Sequence, residues 1–385
     1  MNTRKIWSLA MAGFVFTLAF AFSVQAQENE KTDVRTLVQC QEAWTKLAAS
    51  FEEVEKRIAA GGDDAAAARR EFSQLEIQSK ALVKEIQTAA KTELDKDRTS
   101  SNALRALMGL AVQSAAKDQD WETLELGDYL IQKGISPKYF EVAAKSESLS
   151  IEQKQVFDEL LIRQAESLKN DLPRVELKTT KGTVVLELFE NEAPGTVGNF
   201  VFLAENGYFN DMLFHRVIEG FMAQSGGFKR EASGEKRGGE GPGYEIKCEC
   251  YEPNARKHFT GCLSMAKKPN QRDSGGSEFY MTLQRTDFLD GEHTVFGRVL
   301  SGFRAIENLE RTHQSNRYGE DVEIEGVLED KIITAKVLRK RAHKYQPDRV
   351  NSQQESSETE SATAAAENEP AEAAEDDGPS LNSPE

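Results

Sequence analysis

The chain has 385 residues, 39% of them hydrophobic and 8% aromatic, which is enough for two soluble domains with tails. Its formal charge of −16 argues against nucleic acid as a partner. That charge is concentrated: residues 351–385 carry ten acidic side chains and no basic one.

Arg4 and Lys5 precede an uncharged apolar run from Ile6 to Val24 that ends in Val24-Gln25-Ala26. A charged start, an apolar middle and small residues at the end read as an export signal over residues 1–26, placing the mature protein in a periplasmic or extracellular compartment. An uncleaved anchor is the alternative, because a run of about nineteen residues just reaches across a bilayer. No Cys follows the run to take a lipid, and no membrane span is expected in the mature chain.

From 34 to 172 the pattern is helical. Leu37, Cys40, Trp44, Leu47, Phe51, Val54 and Ile58 alternate by three and four, the period of a coiled-coil seam. Gly61-Gly62-Asp63-Asp64 breaks the run and offers a helix cap. The period resumes through Ala68, Phe72, Leu75, Leu82 and Ile86, with polar Ser79 on the seam, so a coiled-coil-like helical hairpin is expected. Shorter helices follow near 101–117, 121–133 and 137–146, and a last one starts at the capping box Ser150-Ile151-Glu152-Gln153 and runs towards Pro173. This all-α region carries no recognisable chemistry; it reads as a docking or chaperone-like surface, a dimerisation hairpin or a spacer.

After Pro173 the period changes to two. Val175 and Leu177, then Val184, Leu186 and Leu188, alternate across a turn at Lys181-Gly182. Ala193-Pro194 opens a helix that Asn206-Gly207 closes. Phe214-His215-Arg216-Val217-Ile218-Glu219-Gly220-Phe221-Met222-Ala223-Gln224 comes next and reads as two strands joined through Gly220, with Arg216, Met222 and Gln224 on one face. This describes an apolar cleft with a positive rim. Downstream lie Gly261-Cys262-Leu263-Ser264-Met265-Ala266, Gly275-Gly276-Ser277-Glu278-Phe279-Tyr280-Met281-Thr282-Leu283 and Phe288-Leu289-Asp290-Gly291-Glu292-His293-Thr294-Val295-Phe296-Gly297-Arg298-Val299.

In order and spacing these blocks resemble those of cyclophilins, the peptidyl-prolyl cis/trans isomerases, from about Val175 to Arg339. The resemblance implies a closed eight-stranded β-barrel with two helices over 175–340, following the helical region, in a multidomain α and β protein. It also implies that the partners are proline-containing, unfolded or flexible polypeptides, and that no metal or other cofactor is needed. Arg216 matches the family's catalytic Arg. Phe221, Met222, Tyr280 and Leu289 match the proline pocket, Gln224 and His293 the polar contacts that orient the substrate, and Ala266 a pocket-wall position; His215 reads as structural. The chemistry is consistent with this assignment, because the twisted X–Pro bond leaves a lone pair on the prolyl nitrogen that a fixed guanidinium stabilises.

Three features depart from the family pattern. Glu278 stands where cyclophilins commonly carry Gln, exchanging an amide for an acceptor-only carboxylate that either pairs with Arg216 and damps it or favours basic substrates. Phe288 replaces a Trp, which implies weak cyclosporin binding with isomerase activity retained. Lys267 and Lys268 add charge at the pocket edge. Among the four cysteines, an export context permits a disulfide from Cys262 to Cys248 or Cys250, with buried thiols as the alternative and Cys40 as helical core. Residues 346–385 read as a disordered acidic tail. Two functions are left, a folding catalyst for exported chains or a proline-peptide binding or chaperone module with little turnover. Oligomeric state is not legible.

Overall fold

A computed structural model describes residues 35–62, 64–147, 149–315 and 320–350; the expected export signal and nearly all of the acidic tail lie outside them. Helix α1 (Leu37–Ala60) opens on a reciprocal capping box, with Thr36 Oγ1 accepting from the Gln39 amide at 3.3 Å and Gln39 Oε1 accepting from the Thr36 amide at 2.8 Å. Its seam from Leu37 to Val54 is buried. The seam packs on α2 (Ala65–Lys96), where Phe51 meets Phe72 edge to face at 5.2 Å and Ser79 is buried among the apolar positions. Asp64 precedes α2 but makes no side-chain cap; its carboxylate takes the Arg57 guanidinium at 2.8 and 3.1 Å. Contact passes from α2 to α3 (Ser101–Ala115) and on to α4 (Asp120–Gln132), making the hairpin one layer of a helical bundle. The bundle is completed by α5 (Lys138–Ala144) and α6 (Ile151–Lys169), the latter capped by Ser150 and Gln153 as its sequence predicts.

The second region contains β1 (Arg174–Thr179), β2 (Gly182–Leu188), α7 (Pro194–Glu205), β3 (Arg216–Ile218), β4 (Met222–Ser225), β5 (Phe228–Arg230), β6 (Lys236–Gly238), β7 (Cys262–Met265), β8 (Phe279–Thr282), β9 (Val295–Ser301), α8 (Phe303–Glu307), β10 (His313–Ser315), β11 (Asp321–Glu323) and β12 (Ile332–Arg339). Its core is aromatic: Phe200 of α7 packs edge to face on Phe279 at 5.2 Å, and Phe209 and Phe296 join them.

The strand pairing does not show the expected closed eight-stranded barrel. Ten strands form one sheet in the order β11-β10-β3-β4-β8-β7-β9-β2-β1-β12, with β5 and β6 pairing separately. The hairpin β10–β11 adds to the β3 edge through the parallel pair His313↔Ile218. Beyond that edge, the segment before β3 meets the start of β12 through the bridge Leu213↔Lys331 and flanking hydrogen bonds at 2.8 Å from Phe214 N to Asp330 O and from Ile332 N to Met212 O.

The helical bundle is docked on the sheet region. Trp121 of α4 stacks on Phe303 with centroids 4.0 Å apart, over Gly261, where a Cβ would lie 2.7 Å from the indole. Gly261 has φ +78°, so it serves both the turn and the close approach. Beside it, the buried Asp120 carboxylate accepts from the backbone N–H of Thr260 at 2.6 Å and from its hydroxyl. On α6, Glu159 and Glu166 engage Arg256, both at 2.6 Å, and Glu166 also takes Arg298 at 2.8 Å. Phe189, Phe259, Cys262 and Val295 of the sheet region are continuous with the helical core.

Candidate active site

Three short strands build the site. Gly220, at φ 62°, turns β3 back into β4, and the register places Arg216 opposite Gln224 and Ile218 opposite Met222. Strand β8 then puts Tyr280 opposite Gln224. Alternation therefore lines up Arg216, Gln224 and Tyr280 across the sheet on one face. Ile218, Met222 and Tyr280 form a small buried apolar cluster separate from the main core, and Phe221, Ala266 and Leu289 pack around it. The turn Asp287–Leu289 carries Leu289 to this cluster and leaves Phe288 69% exposed at the rim, 5.7 Å from the Phe221 ring.

Arg216 is half-buried, with its guanidinium 5.7 Å from the Phe221 centroid. Nη1 faces the pocket, 3.4 Å from Gln224 Oε1 and 3.8 Å from the Met222 sulfur. Nη2 is ion-paired with Asp321 of β11. The amide of Gln224 is polarised along a line, its Oε1 accepting from Arg216 and its Nε2 donating to Glu278 Oε2 at 2.7 Å.

Glu278 does not pair with Arg216. Its carboxylate faces Gln224 and His215, whose Nε2 lies 3.4 Å away. Burial raises its pKa, but the hydrogen bonds from His215 and Gln224 outweigh that and hold the group below the usual carboxylate range. Between Arg216 and Glu278 stands the Gln224 side chain, so the two charges communicate through an amide. His293 donates Nδ1–H to the Met265 carbonyl at 2.9 Å and meets the Tyr280 ring edge to face at 5.6 Å. Burial lowers its pKa, so a neutral imidazole faces the cleft at neutral pH. Ala266, half-buried at the cluster wall, has its backbone N–H engaged by the Glu278 carbonyl at 2.9 Å.

Two functional neighbours escape the sequence. Asp321 sits in an acidic stretch outside every recognisable block and reaches Arg216 only because β10 pairs in parallel with β3. His258 is fully buried beneath the pocket: Nδ1 lies 2.9 Å from Asp290, and Nε2 lies 3.1 Å from the Tyr280 hydroxyl and 3.0 Å from that of Ser264. A His close in sequence to three cysteines suggests a ligand before it suggests a brace for a tyrosine.

The cysteine expectation is corrected as well. All four are free thiols; Cys262 donates to the Lys257 carbonyl at 3.3 Å on the side facing the helices, while Cys248 and Cys250 face each other.

Residues 174–329 match the family described as cyclophilin type peptidyl-prolyl cis-trans isomerase/CLD. A peptidyl-prolyl cis-trans isomerase of Helicobacter pylori is 48% identical over 138 residues, which is 35% of this chain and 78% of the relative. The chain belongs to the cyclophilin-type peptidyl-prolyl cis-trans isomerase family. A peptidyl-prolyl cis-trans isomerase-like 1 of Aspergillus fumigatus is 39% identical over 43% of this chain and 94% of its own length. A cyclophilin-type isomerase crystal structure from Cryptosporidium parvum is similar at 26% identity, over 44% of this chain and 99% of that one, with a TM-score of 0.33. The activity of this cyclophilin is cis-trans isomerisation of the bond before proline, and proline-containing peptides are what the family binds. Among the described residues, no helix is long and apolar enough to cross a membrane.

Proposed function

We propose that this cyclophilin accelerates Xaa-Pro rotation in exported, unfolded polypeptides, with Arg216 as the catalytic cation and the Met222–Tyr280 cluster as the seat of the prolyl ring. The observation that carries this reading is the alignment of Arg216, Gln224 and Tyr280 across β3, β4 and β8 above an apolar cluster distinct from the core.

The barrier to rotation is roughly 20 kcal/mol because resonance gives the C–N bond double-bond character. An apolar slot of Phe221, Met222, Tyr280 and Leu289 holds the ring and excludes water. As the bond twists, the prolyl nitrogen pyramidalises and acquires a lone pair. Nη1 of Arg216, already aimed into the slot by Gln224, then gains a hydrogen bond that the planar ground state does not offer. Arg suits the task better than Lys, since its planar fork holds Gln224 and Asp321 with separate nitrogens and keeps its charge. Gln224 and the neutral His293 orient the peptide, with Ala266, Glu278 and Phe288 at the edge of the slot.

Export rests on the apolar N-terminal run, and unfolded secreted chains are the clients such an address implies. The helical region, docked beside the cleft, helps hold those clients.

The test is an isomerisation assay on an Xaa-Pro peptide. Arg216→Ala is expected to lower kcat/KM by about 10²-fold or more, as removal of one preorganised donor does elsewhere. An unchanged rate in a folded variant overturns the role of Arg216. N-terminal sequencing of protein from its own cells tests export, with Gln27 expected as the first residue.

A further inference from the structure

Cys248 and Cys250 flank Glu249 in an irregular segment behind the proline pocket. Their sulfurs are 3.0 Å apart, the Cys248 thiol directed at Cys250 and the Cys250 thiol donating to the Gly291 carbonyl at 3.2 Å. The segment is pinned on every side. Cys248 N donates to Asp273 Oδ1 at 2.8 Å and Glu249 N to Thr294 Oγ1 at 2.9 Å. The Glu249 carboxylate accepts from the backbone N–H groups of Gly195 and Thr196 at the start of α7, at 2.9 and 2.8 Å. Nothing in the isomerase chemistry uses this pair, and Cys262, the partner expected for one of them, is committed to Lys257 on the far face.

We propose that Cys248 and Cys250 are a redox modification site, closing to an intramolecular disulfide on reaction with a small-molecule disulfide and thereby loosening the pocket loop. The sulfurs already sit closer than two unlinked thiols rest comfortably, in a backbone held from both sides. Closure needs a movement of about 1 Å to reach the S–S bond length. The Cys250 thiol is engaged on the Gly291 carbonyl, which leaves Cys248, directed at Cys250, to make the first attack. The Cys248 thiolate displaces one thiol from the oxidant, giving a mixed disulfide; Cys250, losing its proton to solvent, then displaces the second. One S–S bond breaks in the oxidant and one forms in the protein. Two electrons pass to the oxidant, which leaves as two thiols. Tyr251, Gly291 and Glu292 beside the pair are exposed, so a small oxidant has a short path to it.

The consequence follows from the lost S–H group. Gly291 O accepts from Cys250, and Gly291 lies between Leu289, which walls the proline slot, and His293, which orients substrate. Oxidation removes that donor and draws the sulfur towards Cys248, so the loop from Asp287 to His293 loses an anchor.

The experiment treats the full-length protein with oxidised glutathione, alkylates free thiols under denaturing conditions, and maps the peptides by mass spectrometry. Two alkylated residues, Cys40 and Cys262, and one loop-closed peptide lighter by two hydrogens are expected, reversed by dithiothreitol. Four alkylated cysteines, a stable glutathione adduct or any pairing to Cys262 would overturn the site. In parallel, KM for an Xaa-Pro peptide is expected to rise about three- to tenfold on oxidation, the worth of one hydrogen bond, with kcat little changed. The Cys248→Ser and Cys250→Ser variants are expected to lose the response to oxidant. A disulfide formed with no change in KM overturns the link to the pocket.

Discussion

Arginine–carboxylate pairs occur in both halves of the working molecule, and they are built to opposite specifications. At the seam between helices and sheet, Arg256 and Glu159 are 3% and 5% exposed, and every charge has more than one partner: Glu159 also holds Arg163 at 2.9 Å, while Arg298 bridges Glu166 and Glu187. In the cleft, Arg216 and Asp321 are each about 30% exposed, and one side of the guanidinium faces Gln224 and the Met222 sulfur. A buried pair has no water to replace a lost partner, so it locks the two regions together. A half-exposed pair exchanges partners at little cost, so a substrate can compete for it.

Breaking the buried side gives the largest expected effect. Glu159→Ala leaves Arg256 and Arg163 short of a carboxylate, and is expected to destabilise the fold by about 3–5 kcal/mol in denaturant unfolding. The effect depends on pH. Burial acts to raise the Glu159 pKa, but Arg256 and Arg163 overcome it and hold the carboxyl at about 2. A depressed carboxylate contributes stability that is full above its ordinary range near 4.5 and lost as pH falls towards 2. The penalty of Glu159→Ala should therefore be greatest above about pH 5 and shrink through that acid window. A penalty independent of pH would place the effect in packing rather than charge.

The contrast also explains what could be read from the chain. Apolar periodicity exposed the hairpin seam from Leu37 to Val54, because each of those residues follows from local spacing, and the Ser150 capping box marked the start of α6 for the same reason. Arg216, Met222 and Gln224 were legible as one face, since strand alternation and the turn at Gly220 lie within nine residues. Glu159, Arg163 and Glu166 look on a helix like a solvated face; only their meeting with Arg256 and Arg298 across the seam makes them structural. Asp321 is hidden because 105 residues separate it from Arg216, and the pairing of its hairpin with β3 is what brings the two together. Of the two roles left open for Glu278, pairing with Arg216 falls away because the Gln224 amide stands between the two charges, which residue types do not reveal.

A middle-sized effect tests the exposed side. Asp321→Asn keeps an oxygen acceptor on Nη2 but removes the charge that competes for the guanidinium. It is expected to raise kcat/KM by several-fold, up to about tenfold, equivalent to about 1.4 kcal/mol. Unfolding should change by less than about 1 kcal/mol, in contrast to Glu159→Ala. A fall in kcat/KM instead would mean that the carboxylate aims the fork more than it damps it.

The smallest effect lies where the two designs meet. Tyr280 gives its ring to the apolar cluster under the cleft and its hydroxyl to the buried His258, whose other nitrogen faces Asp290. The hydrogen bond from His258 keeps the Asp290 carboxylate below its usual range against the opposing push of burial, and Nε2 faces the Tyr280 hydroxyl at 3.1 Å. Tyr280→Phe preserves the ring and removes only that hydroxyl. About 1 kcal/mol of stability should be lost, with kcat/KM within about twofold of wild type. A large loss of activity at unchanged stability would show that the hydroxyl serves the cleft directly and that the separation between a locked interior and an exchangeable site fails at this residue. The expected outcome places the boundary between them inside one side chain, at the junction of ring and hydroxyl.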